Sequence, residues 1–187
     1  MSSASAGTPM LLTAAEFARR PDPGHPEELV RGRIVPMPPP IRRHGQICAR
    51  TVYLFRRFLE SQDIGHILSN DAGVITERGP DTVRGADIAF YSYARLPRGP
   101  LPNDYGAEPP ELVVEVRSPS DRWPKILARV AEYHDAGVLA VVVLDDDSRT
   151  ALLSMADQGP RRLGPDDELT IPEILPGFAV AVRRFFE

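Results

Sequence analysis

One cysteine, Cys48, stands in the whole chain. An intrachain disulfide is therefore excluded, as is a zinc site built on several thiolates. A reducing, cytoplasmic setting suits such a chain. No apolar run approaches the roughly 20 residues of a membrane-spanning helix, so no membrane partner is expected. Positive charge is short as well: 22 Lys and Arg stand against 26 Asp and Glu, a net charge of -4. Proteins that grip nucleic acid over a broad basic surface show the opposite balance, although a local basic groove is still compatible with this one. A glycine-rich phosphate loop and a nucleophile–base signature are both missing, which leaves a small-molecule enzyme without support. Met1 to Thr8 lacks the basic and apolar regions of a secretory signal, and residues 1–10 are expected to form a disordered tail.

The chain has 187 residues, 42% of them apolar and 26% charged. That is enough to bury a core without staples, and it predicts one domain over residues 11–187. The 20 prolines cluster at 36–40 and 97–110. Strand patterns resume directly after both clusters, so they read as stiff loops, not linkers.

The stretch from Glu111 to Asp121, ELVVEVRSPSD, organises the rest. Leu112, Val113, Val114 and Val116 favour a buried pleat, and Glu115 sits among them. Alternation puts Glu115 on one face with Val113 and Arg117. An ionised carboxylate there is costly unless it is paired or holds a metal. The plain reading is an ion pair with Arg117 or another base.

Around this stretch the periodicities predict a mixed α/β chain. Residues 13–19 read as a short helix capped by Thr13. Residues 29–35 read as a hairpin turning at Arg31-Gly32, with Glu27 and Glu28 as a solvated pair before it. His44 to Glu60 predicts a helix with Ile47, Thr51, Leu54, Phe55, Phe58 and Leu59 on its apolar stripe. Arg50, Arg56 and Arg57 read as its solvated face, and His44 as a surface or capping residue. Residues 65–69 and 73–76 read as two strands parted by a turn at Asn70-Asp71. Residues 83–91 predict a strand interrupted by Asp87. Ser118, Ser120 or Asp121 is expected to cap a helix running to about Ala136. Lys125 and Arg129 lie on one side of it. Residues 138–144 and 150–154 follow as strands, so residues 111–144 form a βαβ unit. The apolar tail at 180–186 is expected to pack on the core or to serve a subunit contact.

Asp87 and Glu115 each interrupt a strand. If those strands are neighbours, two carboxylates converge at one place in a sheet. Hard cations such as Mg²⁺ take oxygen ligands and keep several waters, so two carboxylates and a carbonyl suffice. Arg117, Lys125 and Arg129 are the cations at hand to offset charge on a phosphate. The spacing alone is weakly specific.

Three segments carry a resemblance: RGADIAF around Asp87, PELVVEVRSPSD around Glu115, and YHDAGV from Tyr133. With ELVRG from Glu28 and LPGF from Leu175, they are similar to the putative restriction endonuclease family of small bacterial proteins. That family belongs to the PD-(D/E)XK nuclease superfamily. The resemblance runs from about Leu11 to Phe186. It implies a restriction-endonuclease-like α/β fold, a central mixed sheet flanked by helices. It also implies a Mg²⁺- or Mn²⁺-dependent endonuclease acting on DNA. Asp87 and Glu115 would be metal ligands, the Val116 carbonyl a third, and Glu28 an extra acid of the site. A homodimer would suit cleavage of both strands of a duplex. The chain departs from the family at three places. Ala86 stands where Pro usually precedes the Asp. Arg117 stands where the superfamily has a lysine, and Arg129 where this family commonly has one on the following helix. Arginine stays charged at neutral pH, so no base role survives at either position. Lys125, one turn earlier, is the candidate substitute. The competing reading is a degenerate module of the same fold that binds nucleic acid or a protein partner without cutting it.

Overall fold

The computed structural model describes residues 11–187; the tail expected over residues 1–10 lies outside them. Helix α1 (Ala14–Ala18) starts at Thr13, whose hydroxyl accepts from the Glu16 N–H while Glu16 reaches back to the Thr13 N–H, a capping box. Ala14 and Phe17 then bury against Leu29 and Val83. Thr13→Ala should lower the unfolding free energy by about 1 kcal/mol. A urea titration would show this as a lower midpoint at constant slope. An unchanged midpoint would mean that packing of Ala14 and Phe17 alone fixes the helix.

Strands β1 (Glu27–Val30) and β2 (Arg33–Pro36) form the expected hairpin, with Arg31 and Gly32 both at positive φ. This is the twist-matched two-residue turn that glycine favours. Helix α2 (Arg42–Leu59) buries Ile47, Thr51, Leu54, Phe55 and Leu59. Arg50 is not free on the solvated face: it donates to the Arg184 carbonyl and pairs with Glu187. Arg56 and Arg57 are exposed.

Strand β3 (Gly65–Glu77) runs unbroken through the segment read as a turn. Asn70 and Asp71 do adopt positive φ, but as a bulge against β4 (Thr82–Ser92), where the register shifts between Ser69 and Ala72. The turn chemistry of Asn-Asp supplied the backbone conformation, and continued pairing with β4 decided its use.

Strands β5 (Leu112–Arg117) and β6 (Ala140–Asp145) are parallel and joined by α3 (Trp123–Asp135). None of the expected residues caps α3. Its N-cap is Arg122, without a side-chain bond, and Asp121 instead accepts from the Ser118 N–H. Strands β7 (Thr150–Met155) and β8 (Arg161–Leu163) extend the sheet to the order β2-β1-β4-β5-β6-β7-β8, with β3 also on β4. Strands β9 (Glu168–Thr170) and β10 (Ala179–Ala181) form a separate pair.

The alternation of β4, β5 and β6 sorts the core into two layers. Ile88, Phe90, Val114, Val116 and Val142 face α2 and the C-terminal segment, where Phe178 stacks on Phe55 at 4.7 Å and Phe185 is buried. Ala89, Val113, Val141 and Val143 face α3 through Ile126, Val130 and Tyr133. The sheet is thus mixed and flanked by helices, and the tail packs on the core. No described helix is long and apolar enough to cross a membrane.

Candidate functional site

Strand β4 is the floor of the site. Along one edge it pairs with β3. Along the other it meets β1 only where Leu29 faces Val83, and β5 only from Ile88 to Phe90. Between those contacts the sheet forks. A buried strand edge needs partners for its amides, and here carboxylates bridge the fork. Glu28 of β1 accepts from the Gly85 N–H at 3.2 Å. Asp87 of β4 accepts from the Val116 N–H at 2.7 Å, just past the end of the β4–β5 ladder. Glu115 of β5 completes the group. All three acids are buried, at 3%, 8% and 7% exposure.

Both helices reach into this fork. From α3, Arg129 donates to both oxygens of Glu28 at 3.0 and 3.1 Å and lies 3.7 Å from Glu115. The Tyr133 hydroxyl, one turn on, donates to Glu115 at 2.7 Å. From α2, His44 Nε2 lies 3.2 Å from Asp87 Oδ2. Arg84 of β4 bonds Glu28 at 2.9 Å and Glu132 at 2.8 Å. The acids open onto a cavity of about 440 Å³ whose wall includes Glu28, Asp87, Glu115, Val116, Lys125 and Arg129. Prolines 38–40 and the loop from Ser118 to Asp121 form its rim.

Six of the residues singled out from the sequence therefore meet at one cavity, and Arg117 does not. Its guanidinium pairs with Asp145 at 2.6 Å and Asp147 at 2.9 Å, away from that wall. Arg117 lies opposite Asp145 in the β5–β6 register, so a closer partner takes it. The ion pair that the plain reading gave to Glu115 is absent with Arg117 and only loose with Arg129.

Glu111, in the same stretch, shows what a structural buried acid looks like. It accepts from the Ser92 N–H at 2.9 Å and pairs with Arg95 at 3.3 Å. Glu115 is held differently. Burial, first, and then the Asp87 charge push its carboxyl up to about 8. Arg129 and the Tyr133 hydroxyl pull the other way and do not prevail, because Arg129 spends its two short bonds on Glu28. Arg129 itself is raised: its burial works downward, but the charges of Glu115 and Glu28 outweigh it. His44 is raised to about 10, mainly by its bond to Asp87.

These oxygens fit a hard divalent ion. Asp87 and Glu115 are close enough for one charge to oppose the other, both are buried, and both face a cavity with room for waters. Glu28 is already engaged by Arg84 and Arg129, so it suits an outer role.

The apo protein should lose stability as pH rises. Glu115 binds its proton more tightly folded than unfolded, so its contribution is complete below its ordinary value of 4.5 and is lost as pH rises through about 8. His44 adds a contribution complete below 6.5 and lost through about 10. Melting temperatures in chelator should fall over these windows, and Glu115→Gln should flatten the lower one. Parallel profiles for wild type and variant would refute the assignment of that window to Glu115.

Five residues of the site escaped the sequence reading: His44, Asp71, Arg84, Glu132 and Tyr133, whose hydroxyl holds Glu115. His44 had a signal in Cys48, four residues on and so on the same helix face. Asp71 reaches the cavity through the bulge in β3. Arg84 and Glu132 meet across 48 positions, which no local pattern marks.

Among curated proteins none matches the chain. A solved structure, a putative nuclease from Anabaena variabilis, is similar with a TM-score of 0.79 at 20% identity, covering 94% of this chain and 97% of that one. The fold is the restriction-endonuclease-like one that the resemblance implied. The model of the Uma2 family, described as putative restriction endonuclease, matches residues 14–183, and the chain belongs to that family.

Proposed function

We propose that the chain is a Mg²⁺-dependent nuclease that hydrolyses phosphodiester bonds in DNA at the fork of its sheet. The observation that carries this reading is the convergence of three buried acids from three strands on one open cavity. Asp87 and Glu115 hold the ion, with the Val116 carbonyl beside them. When bound, the ion supplies positive charge next to the phosphate and the attacking water.

The chain's own groups do the rest. Tyr133 fixes the direction of Glu115 through its 2.7 Å bond. The Val116 N–H and His44 fix Asp87. Glu28 spaces the Arg84 and Arg129 guanidiniums so that Arg129 remains at the cavity wall, where it offsets charge on a phosphate oxygen. Lys125 is the one lysine of the chain, and it too lines this cavity. Arginine cannot give up its proton and lysine can, so of the α3 residues lining this cavity Lys125 is the one able to take a proton from the attacking water.

The test is a cleavage assay on supercoiled, linear and single-stranded DNA with Mg²⁺, Mn²⁺ or EDTA. Nicking that requires the metal supports the reading. No cleavage of any substrate would favour a binding module, a reading supported by Arg129 lying close to Glu28 and Glu115 at the metal-facing wall.

A further inference from the structure

His44, Cys48 and Asp87 form a second cluster, contributed from α2 and sharing Asp87 with the acidic group. His44 and Cys48 lie one turn apart on α2, the spacing that puts two ligands on one helix face. Cys48 Sγ lies 3.5 Å from His44 Nδ1, and His44 Nε2 lies 3.2 Å from Asp87 Oδ2. One ligand atom from each of the three falls within 4.8 Å of the others. In a tetrahedral zinc site, sulfur, nitrogen and oxygen ligands stand about 3.3–3.6 Å apart; the two short contacts use different imidazole nitrogens, so the His44 ring must turn to offer one nitrogen to both Cys48 and Asp87 and close the set. The cluster opens on a cavity of about 430 Å³, also lined by Asn70 and Asp71, which leaves room for a water as fourth ligand.

We propose that His44, Cys48 and Asp87 bind a thiophilic divalent cation, Zn²⁺ by chemistry, and that this site shares Asp87 with the acidic cluster. The thiolate makes the choice: Mg²⁺ prefers oxygen and leaves Cys48 alone, whereas Zn²⁺ takes sulfur, imidazole and carboxylate together. Binding releases the Cys48 thiol proton to solvent. Because Asp87 then serves the α2 side, Zn²⁺ opposes Mg²⁺ at the fork. That last consequence alone rests on the nuclease reading.

The test uses the full chain and Co²⁺ as a spectroscopic stand-in for Zn²⁺. One equivalent of Co²⁺ should give a thiolate-to-cobalt charge-transfer band that added Zn²⁺ removes. Cys48→Ser should abolish the band, and His44→Ala should weaken Co²⁺ binding tenfold or more. Melting curves in chelator check that both variants fold. Zn²⁺ should raise the melting temperature of wild type and not that of Cys48→Ser. No band, or a band or a zinc-dependent melting shift that survives Cys48→Ser, would overturn the site. In cleavage, Zn²⁺ added to the Mg²⁺ reaction should slow wild type and slow Cys48→Ser less, each against its own rate in Mg²⁺. A chain that binds Co²⁺ through Cys48 but cuts nothing keeps this proposal and loses the nuclease reading. A chain that cuts but shows no band does the reverse.

Discussion

Glu115→Gln should lower the single-turnover rate of Mg²⁺-dependent cleavage by about a thousandfold, and Asp87→Asn should do the same. Each change removes one charge and almost no volume. Losing a carboxylate from a divalent site forfeits several kcal/mol of charge stabilisation, and every 1.36 kcal/mol is tenfold in rate. The two variants should part company in stability. Glu115 is buried beside the Asp87 charge and loosely paired, so its ionisation works against the apo fold, and the amide should raise the melting temperature in chelator near pH 8. Asp87 accepts from the Val116 N–H and faces His44. An asparagine keeps an acceptor for the amide but not the charge beside His44, so no gain is expected there. A gain in stability at Glu115 that accompanies its loss of activity is the signature of an acid kept for function at the expense of the fold. Cleavage within tenfold of wild type in either variant would remove that residue from the metal site.

This contrast explains what the sequence could convey. Glu115 and Asp87 were legible because each breaks a strand pattern, and an anomaly in a local pattern needs no knowledge of neighbours. The hairpin at Arg31-Gly32, α2, α3 and the βαβ unit were legible for the same reason. The fork was not. It arises because β1 and β5 pair with different ends of β4, and no segment encodes the gap between two others. Glu28 accordingly read as one of a solvated pair, although in the fold it is the most buried of the three acids. Arg117 shows the converse error. Alternation placed it on the face of Glu115, but its long side chain follows its strand neighbour Asp145 instead. At Asn70-Asp71 the local chemistry was read correctly, yet the pairing of β3 with β4 turned a predicted turn into a bulge that brings Asp71 to the cavity.

The departures from the family's lysine positions concentrate the question of activity on α3. Arg129 occupies the wall next to Glu28 and Glu115, but a guanidinium holds its proton throughout the working range. If proton transfer matters, it falls to Lys125, one turn before Arg129 and on the same cavity. Lys125→Met should lower the single-turnover rate about a hundredfold, the lower end of what a positioned acid–base group contributes. Stability should move by no more than about 0.5 kcal/mol, because Lys125 is exposed and has no ion pair among the described residues. Lys125→Arg separates charge from proton transfer. If charge alone is needed, arginine restores most of the rate with the pH profile of wild type. If Lys125 takes the proton, the rate stays low and the dependence on pH changes with it. The second result is expected. Arg129→Lys in the Lys125→Met background should then recover part of the lost rate, since residues four apart on α3 face the same cavity. Cleavage by Lys125→Met within twofold of wild type would exclude a role for this lysine and leave the phosphate to the arginines of the fork and His44.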